Sequence, residues 1–263
     1  MDRLLLVAST FCFLFGFAYT MYALGARVYQ ASRLNFFSIL AGFALQSAFL
    51  YLRGQQIGRC PLTSTFEGLI FLSWSMVMFY LLIGPAYRLS LLGAFTSPLA
   101  LLLQVTALCL PSAAIIRPAA NLNGWLELHA AMSVLAYGAF ALAGVTGVMY
   151  LAQERALKTH RLRPLFFHLP PIHDLAVANG RLVLCGFCLF TIGLAAGWAN
   201  GSAHVHILRI ISVGIWAVYG AIVFARMAHQ ISPRRVAWLS IWAFAVALST
   251  FWGLQFLGGR TAS

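Results

Sequence analysis

Eight stretches of this chain run with almost no formal charge, near residues 4–24, 35–52, 63–83, 89–110, 125–152, 178–199, 207–227 and 236–257. A helix needs about 20 apolar residues to cross the hydrocarbon core of a bilayer, and each run approaches that length. Backbone groups in hydrocarbon find no water, so every run must close its hydrogen bonds within its own segment, which makes it helical. The predicted fold is therefore all-α, a polytopic integral membrane helix bundle of about eight transmembrane helices. Composition agrees, with 62% apolar and 8% charged residues, where a soluble domain carries about a quarter charged. Residues 1–263 read as a single transmembrane domain with no internal repeat and no soluble unit large enough to fold alone. The first run exceeds the roughly 7–15 apolar residues of a signal peptide and ends without a small-x-small cleavage site, so it is expected to remain as a span.

The chain carries 17 Lys and Arg against 5 Asp and Glu. These cations sit at helix ends and in short connections and form no basic stripe, which argues against a nucleic-acid partner. Cytoplasmic loops of membrane proteins collect Lys and Arg. Arg27, Arg33, Arg155, Lys158, Arg161, Arg163, Arg226, Arg234 and Arg235 all fall on one side if both termini lie outside. Arg3, Arg53, Arg59, Arg117, Arg209 and Arg260 fall on the other. The polar stretch Glu154–Asp174 holds His160, His168 and His173 and is punctuated by Pro164, Pro170 and Pro171, which predicts a rigid, extended connector.

Five cysteines make no disulfide framework. Cys185 and Cys188 form a C-x-x-C inside the apolar run Leu182–Phe190, where a redox motif would lack the exposed thiolate it needs. They read as helix-packing residues. Cys60 and Cys109 both fall near the outer face, and whether they pair depends on geometry the sequence does not give.

An ionisable residue inside a span is expensive to bury and is a functional candidate for that reason. Glu67 lies about one turn into the third run, with Trp74 seven positions later on the same helical face. The alternative for Glu67 is an interfacial carboxylate that reaches water or pairs with Arg59. His129 opens the fifth run, and Ser133 and Tyr137 follow at i+4 and i+8, a polar stripe facing either neighbouring helices or a cavity. A neutral imidazole there is a good iron ligand, against the plainer role of a histidine bonding near the headgroups. His204 and His206 lie in the next outer connection, just after Trp198. No Ser/His/Asp or H-E-x-x-H pattern supports a hydrolase. A small-solute or ion transporter has only the single polar stripe in its favour, without paired broken helices.

The stretch Gly58-Arg-Cys-Pro-Leu-Thr-Ser-Thr-Phe-Glu67, continuing to Phe71-Leu-Ser-Trp74, resembles the cytochrome c assembly family of haem-handling membrane proteins (CcsA/CcmC-like). Leu128-His129 through Tyr137, with Tyr150-Leu-Ala-Gln-Glu154 before Lys158, is similar to its HemX/YpjD-like branch. So is Leu169-Pro-Pro171 followed by Gly186-Phe and Thr191-Ile-Gly-Leu-Ala-Ala-Gly197-Trp198. The likeness covers about residues 35–257. It departs in three places. The family's W-G-x-x-W-x-W-D loop is missing where Gly197-Trp-Ala-Asn-Gly-Ser-Ala-His204 runs into the seventh span. The family's second outer histidine has no match in Ser249–Gly259, and a histidine of its second span is Gln46 here.

The resemblance implies a membrane component of cytochrome c assembly that handles or presents haem at the outer face of the bacterial inner membrane, and is not an enzyme by itself. It implies His129 as ligand to the haem iron, and His204 or His206 is this chain's own candidate for a second ligand. Trp74 and Trp198 would offer stacking surface, Glu67 would join the pocket, and Arg53, Arg59 and Arg117 would meet the propionates. The implied partners are the lipid bilayer, haem and other cytochrome c assembly or membrane proteins. The alternative is an accessory or scaffold subunit that binds no haem, which the missing tryptophan-rich loop favours.

Overall fold

A computed structural model describes residues 2–25, 33–62, 64–84, 92–110, 124–159, 171–199 and 206–260. Among them are eight helices and no strand: α1 (Asp2–Gly25), α2 (Arg33–Ile57), α3 (Thr65–Ile83), α4 (Leu92–Cys109), α5 (Gly124–Thr159), α6 (Ile172–Ala199), α7 (His206–Met227) and α8 (Pro233–Arg260). Seven of them, α1 to α7, are long and apolar enough to cross a membrane. The chain is an all-α, multi-pass membrane bundle. α8 carries the eighth expected run but opens on Pro233, Arg234 and Arg235 and lies outside that set among the described residues.

The expected extended connector is helical at both ends. α5 continues to Thr159, helped by the Lys158 Nζ–Glu154 contact of 2.7 Å at i,i+4. α6 starts at Ile172, where the Leu175 N–H donates to the Pro171 carbonyl at 3.2 Å. Residues 160–170, with His160 and His168, lie outside the described residues.

Cross-helix bonds show the helices alternating in direction. Ser9 Oγ donates to the Gly42 carbonyl at 2.9 Å and Gln104 Nε2 to Ser9 Oγ at 3.0 Å, which ties α1 to α2 and α4. Gln46 Nε2 donates to the Ile70 carbonyl at 2.9 Å, which joins α2 to α3. The starts of α1, α3, α5 and α7 thus share one face, here the His129 face, with the ends of α2, α4 and α6. The opposite face holds the ends of α5 and α7 and the start of α8.

α5 is the central element. Its Phe140 stacks on Tyr219 of α7 with ring centroids 3.5 Å apart and rings inclined by 7°. A Cβ at Gly138 would collide with Ser75, so a glycine is required where α3 crosses α5. Deeper toward the opposite face, Asn179 Nδ2 donates to the Ala143 carbonyl at 2.6 Å and to Ser240 Oγ at 3.1 Å, a buried junction of α5, α6 and α8. A second apolar cluster, Leu6, Phe49, Leu50, Phe66, Leu69, Ile70 and Ala107, fills the His129 face between α1, α2, α3 and α4.

Candidate functional site at the His129 face

His129 stands near the start of α5, half-buried against the last two turns of α6. Its Nδ1 lies 2.7 Å from the Gly193 carbonyl oxygen. A Cβ added at Gly197 would stand 2.8 Å from the same nitrogen. Gly193 and Gly197 are one turn apart on one face of α6, and together they form the bare surface that seats the imidazole. A carbonyl oxygen only accepts, so Nδ1 of the neutral ring carries the proton and Nε2 keeps its lone pair. Histidines that bind metals are commonly held by a hydrogen bond of this kind from the other ring nitrogen.

The polar stripe below His129 faces α6. Ser133 Oγ is buried without a hydrogen-bond partner, and a Cβ at Gly193 would stand 3.1 Å from it. Tyr137 meets Phe190 edge-on at 6.1 Å between centroids. The stripe is therefore used in helix packing, and the transporter reading loses the one feature that supported it.

Trp198 follows Gly197 on the last turn of α6 and is exposed. His206 opens α7, but its side chain is not described, and His204 and Arg117 lie outside the described residues. Among the described residues, no three His, Cys, Asp or Glu side chains converge as a metal site would require.

Glu67 and Trp74 are positioned by the α2–α3 seam. Ser64 caps α3, its Oγ accepting from the Glu67 N–H at 3.3 Å. The Glu67 side chain is fully buried and meets Arg53 Nε at 2.8 Å. This replaces the expected interfacial carboxylate or Arg59 partner, because α2 runs on to Ile57 and brings Arg53 alongside. Arg59 keeps a buried Nε with no hydrogen-bond partner. Trp74 Nε1–H donates to Ser47 Oγ at 2.8 Å, and its ring stacks on Phe43 at 5.4 Å.

Cys60, between α2 and α3, places these two groups near each other. Burial pushes its thiol above the usual range, and the Glu127 and Glu67 carboxylates push it further. Glu127 belongs to the first turn of α5, two residues before His129. All five cysteines are free, including Cys60 and Cys109.

Two features escaped the sequence reading. Arg53 is read from sequence as an outer-side cation that would meet the propionates, whereas in the structure it is the ion-pair partner of Glu67. The Gly193/Gly197 seat is visible in sequence as small residues four apart, but nothing in the pattern says that a histidine occupies it.

The profile of the family described as "Cytochrome C assembly protein" matches residues 62–260. The cytochrome c biogenesis protein CcsA of Guillardia theta is 28% identical over 227 residues, covering 76% of this chain and 75% of that protein. Protein HemX of Brevibacillus brevis is 30% identical over 169 residues, covering 64% of this chain and 62% of HemX. Protein NrfI of Wolinella succinogenes is 29% identical over 226 residues, covering 81% of this chain but 24% of NrfI.

Proposed function

The chain belongs to the cytochrome c assembly protein family, and we propose that within it this protein handles haem at the His129 face as a cargo for cytochrome c maturation. The observation that carries this reading is the fixed ring of His129, with Nδ1 turned to the Gly193 carbonyl and Nε2 left with its lone pair. Haem iron takes an imidazole as axial ligand, and one such group held in a single orientation suits transient holding and release. Trp198, exposed one residue beyond Gly197, supplies an aromatic surface for the porphyrin. His204 or His206 is the second axial ligand. Glu67 and Trp74 position α3 behind this surface through their bonds to α2.

The His129 face is the outer face of a bacterial inner membrane, with both termini outside. Arg155, Lys158, Arg226, Arg234 and Arg235 gather at the other face, as cytoplasmic cations do. Partners are other cytochrome c assembly proteins. An accessory role without haem is the second reading, favoured by the short connection from Gly197 to His206 in place of a tryptophan-rich loop.

The test is an absorption spectrum of the detergent-purified protein with and without added haem. Wild type should develop a Soret band that His129→Ala abolishes or blue-shifts, and added imidazole should partly restore it. His204→Ala and His206→Ala should each weaken binding less. Absence of haem uptake by wild type under both oxidising and reducing conditions overturns the reading in favour of the accessory role.

A further inference from the structure

At the face opposite His129, a cavity of about 220 Å³ opens between α6 and α7, lined by Gly180, Val183, Leu184, Val223, Arg226, Met227 and His229. Most of its wall is hydrocarbon, and its polar rim comes from Arg226 and His229. The Arg226 guanidinium lies over Gly180 so closely that a Cβ there would overlap it, and its Nη2 donates to the Ala176 carbonyl at 3.0 Å. No carboxylate compensates this charge among the described residues. Glu67 holds Arg53, Glu154 holds Lys158 and Arg234, and Asp174, two residues before Ala176, makes no ion pair with Arg226. Arg226 is level with Ala176 and Gly180, in the first turns of α6 and the last turn of α7.

His229 reinforces the rim. It ends α7 in the left-handed region at φ 52°, a place glycine usually takes, with Gln230 N–H donating to the Ala225 carbonyl at 2.9 Å. A histidine held there puts a second nitrogen-bearing side chain on the cavity wall with Arg226.

We propose that this cavity is a binding site for an anionic phospholipid, with the phosphate on Arg226 and His229 and an acyl chain along Val183, Leu184, Val223 and Met227. A free phosphate would satisfy the rim but leave the apolar wall uncovered, whereas a lipid satisfies both. The site lies across the membrane from His129 and is independent of the haem reading.

The test uses full-length protein stripped of lipid in detergent and offered phosphatidylglycerol or phosphatidylcholine, with bound lipid counted by native mass spectrometry. Wild type should retain phosphatidylglycerol about fivefold over phosphatidylcholine. Arg226→Gln should erase that preference, and Leu184→Trp, which fills the groove from its exposed side and keeps the charge, should reduce retention of both lipids. If Arg226→Gln does not fold, the Leu184→Trp result decides alone. Equal retention of the two lipids by wild type, or an unchanged preference in Arg226→Gln, overturns the proposal. So does displacement of phosphatidylglycerol by millimolar inorganic phosphate, which would mark a site for the free anion.

Discussion

His129 of α5 and Gly193 of α6 are joined by a contact of 2.7 Å between ring Nδ1 and backbone carbonyl, across a seam where Gly197 leaves room for the imidazole. The bond does two things at once. It holds two antiparallel helices together at the membrane face, and it fixes which ring nitrogen keeps its lone pair. A histidine that merely packed would be indifferent to its tautomer.

That relationship makes Gly197 a positioning residue. In Gly197→Ala the new methyl would stand 2.8 Å from His129 Nδ1, so the ring must swing away from Gly193. Haem affinity should fall about tenfold or more while the protein still inserts and purifies as a monodisperse species. Wild-type affinity in Gly197→Ala would show that the seat does not orient the ligand. Gly214→Ala is the control, because nothing lies within 4 Å of a Cβ there.

A left-handed histidine is a standing cost at the end of α7. Glycine adopts that backbone freely, whereas other L-residues lose about 1–2 kcal/mol there. His229→Gly should therefore stabilise the protein in zwitterionic detergent by roughly 0.5–1 kcal/mol, after the entropy glycine gains in the unfolded chain, and so raise its thermal midpoint. Added phosphatidylglycerol should stabilise this variant less than wild type. A midpoint lower than wild type in plain detergent would mean that the imidazole makes a contact worth more than the strain.

Most of the fold was legible because lipid imposes a simple rule. Apolar runs must be helices, and α1, α3, α4 and α7 begin and end within three residues of the runs read from sequence. The reading failed where polarity was taken for helix ending. Arg53 lies inside α2 and Glu154–Thr159 inside α5 because a charge can be satisfied by a neighbour: Lys158 meets Glu154 at i,i+4 on one helix, whereas Glu67 reaches Arg53 from α3, a pairing that sequence spacing alone does not give. At the site, His129 and Trp198 stand out as polar or amphipathic groups at helix ends. Their relation to Gly193 and Gly197 depends on how α5 and α6 register against each other, which is a property of two segments and not of either one.

Cys60 gives a pH-dependent handle on the same face. Burial, Glu127 and Glu67 all raise its pKa, so less thiolate is present at pH 7 than for an ordinary cysteine, and alkylation should accelerate about tenfold per unit as pH rises toward that pKa. An impermeant maleimide added to intact cells should label it slowly at pH 7 and faster at pH 8.5. Glu127→Gln removes one of the raising charges and should speed labelling about two- to threefold at pH 7. Labelling only after the membrane is opened would reverse the proposed orientation. An unchanged rate in Glu127→Gln would show that Glu127 does not face the thiol.

The buried Arg53–Glu67 pair separates a structural from a functional role for Glu67. The Glu67 side chain is 0% exposed and that of Arg53 only 9%, so removing either alone takes an opposite charge away from a buried ion. Such a loss costs roughly 3–5 kcal/mol, whereas replacing both with apolar groups of similar volume is often close to neutral. Glu67→Leu and Arg53→Met should each sharply lower the thermal midpoint in detergent, and the double variant should recover most of the loss. Strictly additive losses would show that the two side chains do not depend on each other. The double variant also tests the haem reading, since it restores packing without restoring either charge. If Glu67 acts only by holding α3 against α2, the Soret band produced by added haem returns together with stability. A folded double variant that takes up no haem, beside a wild type that does, would make Glu67 or Arg53 part of the haem surface itself.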